Sequence, residues 1–114
     1  MTTVLIVDDY APFRDSARGL LEGGEFEVVG EAEDGQSALR LVEELHPDVV
    51  LLDVHMDDLD GFEVARRLAR LDSPPTVVLV SSRDDYAPLV AGSAAHAFVR
   101  KDALSAEALA SALG

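Results

Sequence analysis

The sequence holds no cysteine, which removes disulfides, thiol catalysis and thiolate metal sites together. It is also poor in positive charge. Nine Lys and Arg residues stand against 22 Asp and Glu, for a net charge of −13. Nucleic-acid affinity draws largely on cationic side chains that neutralise phosphates. Such a field therefore repels nucleic acid and favours cations and basic partner surfaces. No apolar run reaches the roughly 18 residues of a membrane span. The N-terminus lacks the basic, apolar and small-residue order of a signal peptide. These absences point to a cytoplasmic protein with no direct contact to membrane or nucleic acid. Internal repeats, low-complexity tracts and linkers are missing too. His46, His55 and His96 match the spacing of no histidine-based metal motif.

What is present is a chain of 114 residues, 48% of them hydrophobic, enough for one domain with a real core. Strand-like and helix-like patterns alternate along it, with strands expected at about 3–7, 27–31, 48–52, 76–80 and 96–99. The first, third and fourth strands are near-continuous apolar runs, as in a sheet covered on both faces. After the first strand, Phe13, Ala17, Leu20 and Leu21 follow helical spacing, with Pro12 suited to the first turn and Gly23-Gly24 to the end. A second helix follows Asp34-Gly35 and stops at Pro47. A third starts near Asp60-Gly61 and closes at Ser73-Pro74-Pro75. A short fourth helix is expected at about 85–92, with Pro88 in its first turn. A fifth starts near Ser105 and holds Ala108, Leu109 and Ala112. Alternating β and α units demand a parallel sheet with crossover helices.

The polar residues that follow the strands carry the chemistry. Val4-Leu5-Ile6-Val7 runs into Asp8-Asp9, and Val49-Val50-Leu51-Leu52 into Asp53. Val77-Val78-Leu79-Val80 runs into Ser81-Ser82, and Phe98-Val99-Arg100 into Lys101. In an open α/β sheet, ligands bind outside the carboxyl ends of the strands. Carboxylates, a hydroxyl and an ammonium on that edge make a site for a divalent cation and a phosphoryl group. Taken singly, the pieces have plainer readings. Asp8-Asp9 suits a turn, Ser81 a helix N-cap, Lys101 a surface charge and Phe98 core packing.

Four of these pieces, in order, resemble a known family. Leu5-Ile6-Val7-Asp8-Asp9, Leu51-Leu52-Asp53-Val54-His55-Met56 with Asp60-Gly61, Ser81-Ser82, and Phe98-Val99-Arg100-Lys101 are similar to the motifs of response-regulator receiver domains, the phosphorylated half of two-component signalling. The resemblance spans essentially residues 1–114 as a single receiver domain. It implies a flavodoxin-like (βα)5 three-layer sandwich with strand order 2-1-3-4-5. It implies that Asp53 is the phosphoacceptor. Mg2+ would be bound by Asp9, Asp53 and the backbone carbonyl of His55, with Asp8 acting through a metal-bound water. Ser81 and Lys101 would hold the phosphoryl oxygens, and Phe98 would turn inward as Ser81 moves. His55 and Arg83, each two residues past a site residue, would tune the phosphoryl lifetime. The implied partners are a sensor histidine kinase or phosphotransfer protein and a downstream protein. The latter would meet the face of the fourth helix, fifth strand and fifth helix. A phosphorylation-dependent dimer is a further expectation.

The chain departs from the family pattern in three places. Asp57 stands where proline usually follows the Met, which bears on the rigidity of that loop. Ala94-Ala95-His96-Ala97 replaces a glycine-favouring stretch. Asp102 follows Lys101 where many members carry a cis-bonded proline, so a trans bond is expected. Rival readings fit less well. An aspartate-nucleophile phosphatase usually has a second acid where His55 stands. A flavodoxin-like cofactor binder would need a phosphate-cradling loop, and Asp8-Asp9-Tyr10 is acidic. A receiver half of a longer DNA-binding regulator remains the main alternative to a stand-alone regulator. Arg14 and Arg18 would lie on the exposed side of the first helix, where they suit an acidic kinase surface, although two arginines on a helix are usually just solvated.

Overall fold

The computed structural model describes residues 1–83 and 85–114. Five strands, β1 (Thr2–Val7), β2 (Phe26–Ala32), β3 (Val49–Asp53), β4 (Thr76–Ser81) and β5 (Ala97–Arg100), form one sheet in the order β2-β1-β3-β4-β5. Every pairing is parallel. Four α-helices cover it: α1 (Ala11–Leu21), α2 (Gly35–Leu45), α3 (Gly61–Leu68) and α4 (Ala106–Leu113). This is the flavodoxin-like arrangement that the alternating pattern implied, and each strand lies within a residue or so of its expected place.

The apolar runs divide their side chains between two cores, as the period of 2 in a strand requires. Leu5, Val7, Val50, Leu52, Val77 and Leu79 meet α2 and α3 through Ala38, Val42, Val64, Ala65 and Leu68. Val4, Ile6, Val49, Leu51, Val78 and Val80 meet α1 and α4 through Ala17, Leu21 and Leu109. Covering both faces explains why these strands carry no polar alternation.

Helix boundaries follow local chemistry. Pro12 sits in the first turn of α1. Asp34 caps α2 by accepting from the Ser37 N–H at 2.8 Å, Asp60 caps α3 through Glu63 at 2.8 Å, and Ser105 caps α4 through Ala108 at 2.9 Å. α2 ends at His46, whose left-handed φ of 47° turns the chain into Pro47.

The fourth helical segment corrects the sequence expectation. Over Ala87–Gly92 it is a 3-10 turn and not an α-helix. The run is six residues long, and its bonds close from i+3 to i, Leu89 N–H to the Tyr86 carbonyl at 2.9 Å and Ser93 N–H to the Val90 carbonyl at 3.0 Å, the pattern usual in so short a helix. Arg14 and Arg18 correct it too. Glu31 on β2 takes Nε of Arg14 at 3.1 Å and Nε of Arg18 at 2.8 Å, and Arg14 also donates to the Asp8 carbonyl at 2.6 Å. Those guanidiniums bind α1 to the sheet, so they are not a free docking surface.

Candidate functional site

Burial singles out the site before any chemistry is considered. Among the described residues, the buried polar side chains are Asp8, Asp53 and Ser81, at 0%, 5% and 3% exposure. All three lie at the C-terminal edge of the sheet. Asp8 follows β1, Asp53 closes β3 and Ser81 closes β4, while Lys101 follows β5. The register brings them level, pairing Val7 with Leu52, Asp53 with Val80 and Ser81 with Arg100. Burying charged groups away from water is costly unless they are paired, so a fold that gathers them at one edge holds them for a purpose beyond packing.

Asp8, Asp9 and Asp53 each bring a carboxylate oxygen within 4.8 Å of the others. The Lys101 ammonium lies 2.6 Å from Asp8 Oδ2 and 3.6 Å from Asp53 Oδ1. It also sits 4.6 Å from the centre of the Phe13 ring, a cation–π contact from α1. Asp8 Oδ1 accepts from the Tyr10 N–H at 2.9 Å. Its buried Oδ2 has the ammonium as an ion-pair partner and accepts no other hydrogen bond among the described residues. A buried carboxylate oxygen with an unused lone pair, beside two further carboxylates, suits a hard cation with oxygen ligands.

Burial pushes the Asp53 carboxyl up from 3.8 to about 6, and the nearby Asp8 and Asp9 charges push the same way. The Lys101 charge and the His55 backbone pull it back down. Gly61 explains part of the enclosure. A Cβ there would fall 2.5 Å from the Asp53 carbonyl oxygen, so α3 approaches the end of β3 as closely as only glycine allows.

Ser81 Oγ accepts from the Arg83 N–H at 3.1 Å. The Arg83 guanidinium pairs with Asp85 at 2.5 Å and lies 5.7 Å from the centre of the Tyr86 ring. Tyr86 in turn meets the His55 ring edge-on at a centroid separation of 5.1 Å, and its hydroxyl bonds His55 Nε2. The two expected tuning residues, His55 and Arg83, are thus joined through an aromatic ring. Phe98 is half-buried and packs against the core beneath α2 and α3. The bond between Lys101 and Asp102 is trans, as expected.

Sequence reasoning missed the roles of Phe13 and Tyr86, and it read Asp58, with Asp57, only as negative potential near the site that aids cation capture. Asp58 accepts from the N–H groups of Gly35 and Gln36, each at 2.9 Å. Those bonds hold its carboxyl below the usual carboxylate range. A cavity of about 310 Å³ lined by Asp9, Glu33, Asp34, Asp57 and Asp58 opens beside the cluster. A roomier cavity of about 450 Å³, between His46, Pro47, Leu71 and Pro74, lies at the opposite sheet edge, away from these groups.

Residues 4–113 match the family model described as the response regulator receiver domain. The chain belongs to the response regulator receiver domain family. Its fold is that of a signal receiver domain of NarL from Mycobacterium tuberculosis, at a TM-score of 0.86 and 35% identity over 99% of this chain and 97% of that one. The receiver is 41% identical over 87 residues to the transcriptional regulatory protein LiaR of Bacillus subtilis, covering 75% of this chain and 41% of that protein. It is 35% identical over 113 residues to the transcriptional regulatory protein DegU of Brevibacillus brevis, covering 96% of this chain and 48% of that protein. The chain thus spans less than half the length of these curated relatives. Among the described residues, no helix of this receiver is long and apolar enough to cross a membrane. As a receiver domain it is a phosphoacceptor unit of two-component signalling.

Proposed function

We propose that Asp53 is the residue that takes the phosphoryl group, from a phosphohistidine on a sensor histidine kinase or phosphotransfer protein. The observation that carries this reading is the burial of Asp53 at the end of β3, between the carboxylates of Asp8 and Asp9 and the ammonium of Lys101. An Asp53 oxygen forms a bond to phosphorus as the P–N bond of the donor breaks, and the freed imidazole takes up a proton. Two anions meet in that step, so the barrier is chiefly electrostatic. Asp9, Asp53 and the His55 carbonyl would hold Mg2+, with Asp8 reaching it through water. Bound there, the ion would neutralise charge between the carboxylate and the phosphoryl oxygens.

The remaining work falls to the chain's own groups. Lys101 leaves Asp8 to pair with a phosphoryl oxygen as a point charge. Ser81 donates its hydroxyl to another oxygen, which draws the β4 end inward. Phe98, already half-buried, follows into the space that this opens. The two packings exchange by population shift. They alter the face made by the 87–92 turn, β5 and α4, where a downstream protein or a second receiver would bind. His55 and Arg83, linked through Tyr86, stand over the approach of water to the acyl phosphate and set its lifetime. Water then cleaves the O–P bond, and the domain resets. The reading takes residues 1–114 as one cytoplasmic receiver that acts through protein contacts and has no enzymatic output of its own.

The test is incubation with acetyl phosphate and magnesium, read by intact mass. Wild type should gain a single phosphoryl group, and Asp53→Ala should gain none. An adduct that persists in Asp53→Ala would place the chemistry elsewhere.

A further inference from the structure

The loop between β3 and α3 runs through Met56, Asp57 and Asp58 and is fixed at two points. Val54 donates to the Val80 carbonyl at 3.1 Å and accepts from the Gly61 N–H at 2.8 Å. That anchors the loop at the sheet. The second anchor is Asp58. Its Oδ1 accepts from Gly35 N–H and its Oδ2 from Gln36 N–H, each at 2.9 Å, and Oδ1 also takes the Leu59 N–H at 2.8 Å. The N–H groups of Gly35 and Gln36 open α2, where no intrahelical carbonyl can serve them. A carboxylate there also meets the positive end of the helix dipole. Asp34 caps the same helix through Ser37, so α2 holds two carboxylates, one its own and one from a loop more than twenty residues away.

The contact is tight as well as charged. A Cβ on Gly35 would come 2.8 Å from Leu59 Cβ and 3.0 Å from Val64 Cγ2, so the loop lies directly against the helix start. His55, Met56 and Asp57 lie between the two anchors. The His55 carbonyl is the one proposed metal ligand that a backbone must place, with no rotamer to adjust its position.

We propose that Asp58 is a positioning residue for the magnesium site: clamped to the start of α2, it sets the loop that presents the His55 carbonyl. The proposal rests on the phosphoacceptor reading for the identity of the ligands, and on the hydrogen bonds alone for the clamp. Outer partners that orient metal ligands typically contribute 10–100-fold to affinity.

The neighbouring Asp57 supplies the control. It is exposed on the same acidic cavity, and Asp57→Asn removes the same charge. Magnesium binding is measured by calorimetry, and phosphorylation by acetyl phosphate as a function of magnesium. Asp58→Ala should weaken magnesium binding about tenfold, while the rate at saturating magnesium is retained. Asp57→Asn should change it by about twofold at most, as fits a screened surface charge. Asp58→Asn, which keeps one acceptor oxygen, should fall between the two. In metal-free protein, amide exchange at Gly35 and Gln36 should speed up in Asp58→Ala and not in Asp57→Asn. Because reversible unfolding would also raise the apparent Kd, circular dichroism of each metal-free variant establishes that it is folded before its midpoint is compared. If Asp58→Ala does not fold, Asp58→Asn against Asp57→Asn makes the same comparison at equal charge. Equal magnesium midpoints for the Asp58 variants and Asp57→Asn overturn the clamp alone. A wild type that binds magnesium at no measurable level overturns the clamp and the phosphoacceptor reading together.

Discussion

Replacing Asp53 by Asn should stabilise the metal-free protein at neutral pH, and the structure says by how much. The Asp53 carboxyl is raised from 3.8 to about 6 by burial and by Asp8. At about 1.4 kcal/mol per pH unit, charging it costs about 3 kcal/mol more in the folded chain than in the unfolded one. The sign follows from proton binding. Between 3.8 and about 6 the folded state holds the proton more tightly, so stability falls as pH rises through that window. Below the unfolded pKa the full stability is present; above the folded pKa it has been lost. Asparagine carries no charge at either limit. The Asp53→Asn variant should therefore gain on wild type by about 3 kcal/mol between about pH 3 and about pH 8, roughly 10 °C in Tm for a chain of this size.

The assay is a set of thermal or urea melts of both proteins across that range, in chelator. The exposed acids titrate alike in both proteins and cancel in the difference. Magnesium should close the gap from the other side. At a concentration a hundred times its Kd it adds about 2.7 kcal/mol to a protein that binds it, and Asp53→Asn would lack one of the proposed ligands. A stability difference that does not vary with pH, or that turns against Asp53→Asn as pH rises, would refute the burial argument. A magnesium effect of equal size in both proteins would instead remove Asp53 from the proposed ligand set.

Much of this was legible in the sequence, for a definite reason. A parallel sheet buried on both faces needs unbroken apolar strands, so the first polar residue after each run marks the strand end. Asp8, Asp53, Ser81 and Lys101 could be assigned to one edge without coordinates. Local signals were equally plain where a cap or a proline acts on its own segment, as with Asp34, Asp60, Ser105 and Pro47. What escaped depends on contacts between segments distant in sequence. Asp58 looks like one more acid in an acidic loop until α2 is seen beneath it. Arg14 and Arg18 follow the spacing of a solvated helix face, and only the position of Glu31 on β2 claims them. Phe13 has core spacing, yet its ring lies under Lys101 from the other end of the chain. Tyr86 was absorbed into an expected α-helix that the structure shortens to a 3-10 turn, and so its bridge between His55 and Arg83 went unread.

Three further outcomes test the geometry. Gly61→Ala sets a methyl group 2.5 Å from the Asp53 carbonyl oxygen. Because backbone has to move, urea melts should show a loss of about 1–3 kcal/mol, with slower phosphoryl uptake. His55→Ala and Arg83→Ala should each change the rate of autodephosphorylation, followed by loss of the phosphoryl mass; rates equal to wild type in both would remove them from the tuning role. Lys101→Met leaves Asp8 and Asp53 buried without their cation, and breaking a buried pair from one side costs about 3 kcal/mol or somewhat more. Lys101 also holds the Asp53 pKa down, so its loss raises that pKa further and moves the pH window of lost stability upward. The deficit should therefore be large at pH 8 and shrink as Asp53 takes its proton at lower pH. Adding Asp8→Asn should restore part of it, because it removes one of the two stranded carboxylates, the one the ammonium met at 2.6 Å, together with its push on Asp53. A double variant that is less stable than Lys101→Met alone would mean that the ammonium is not what makes the buried cluster tolerable.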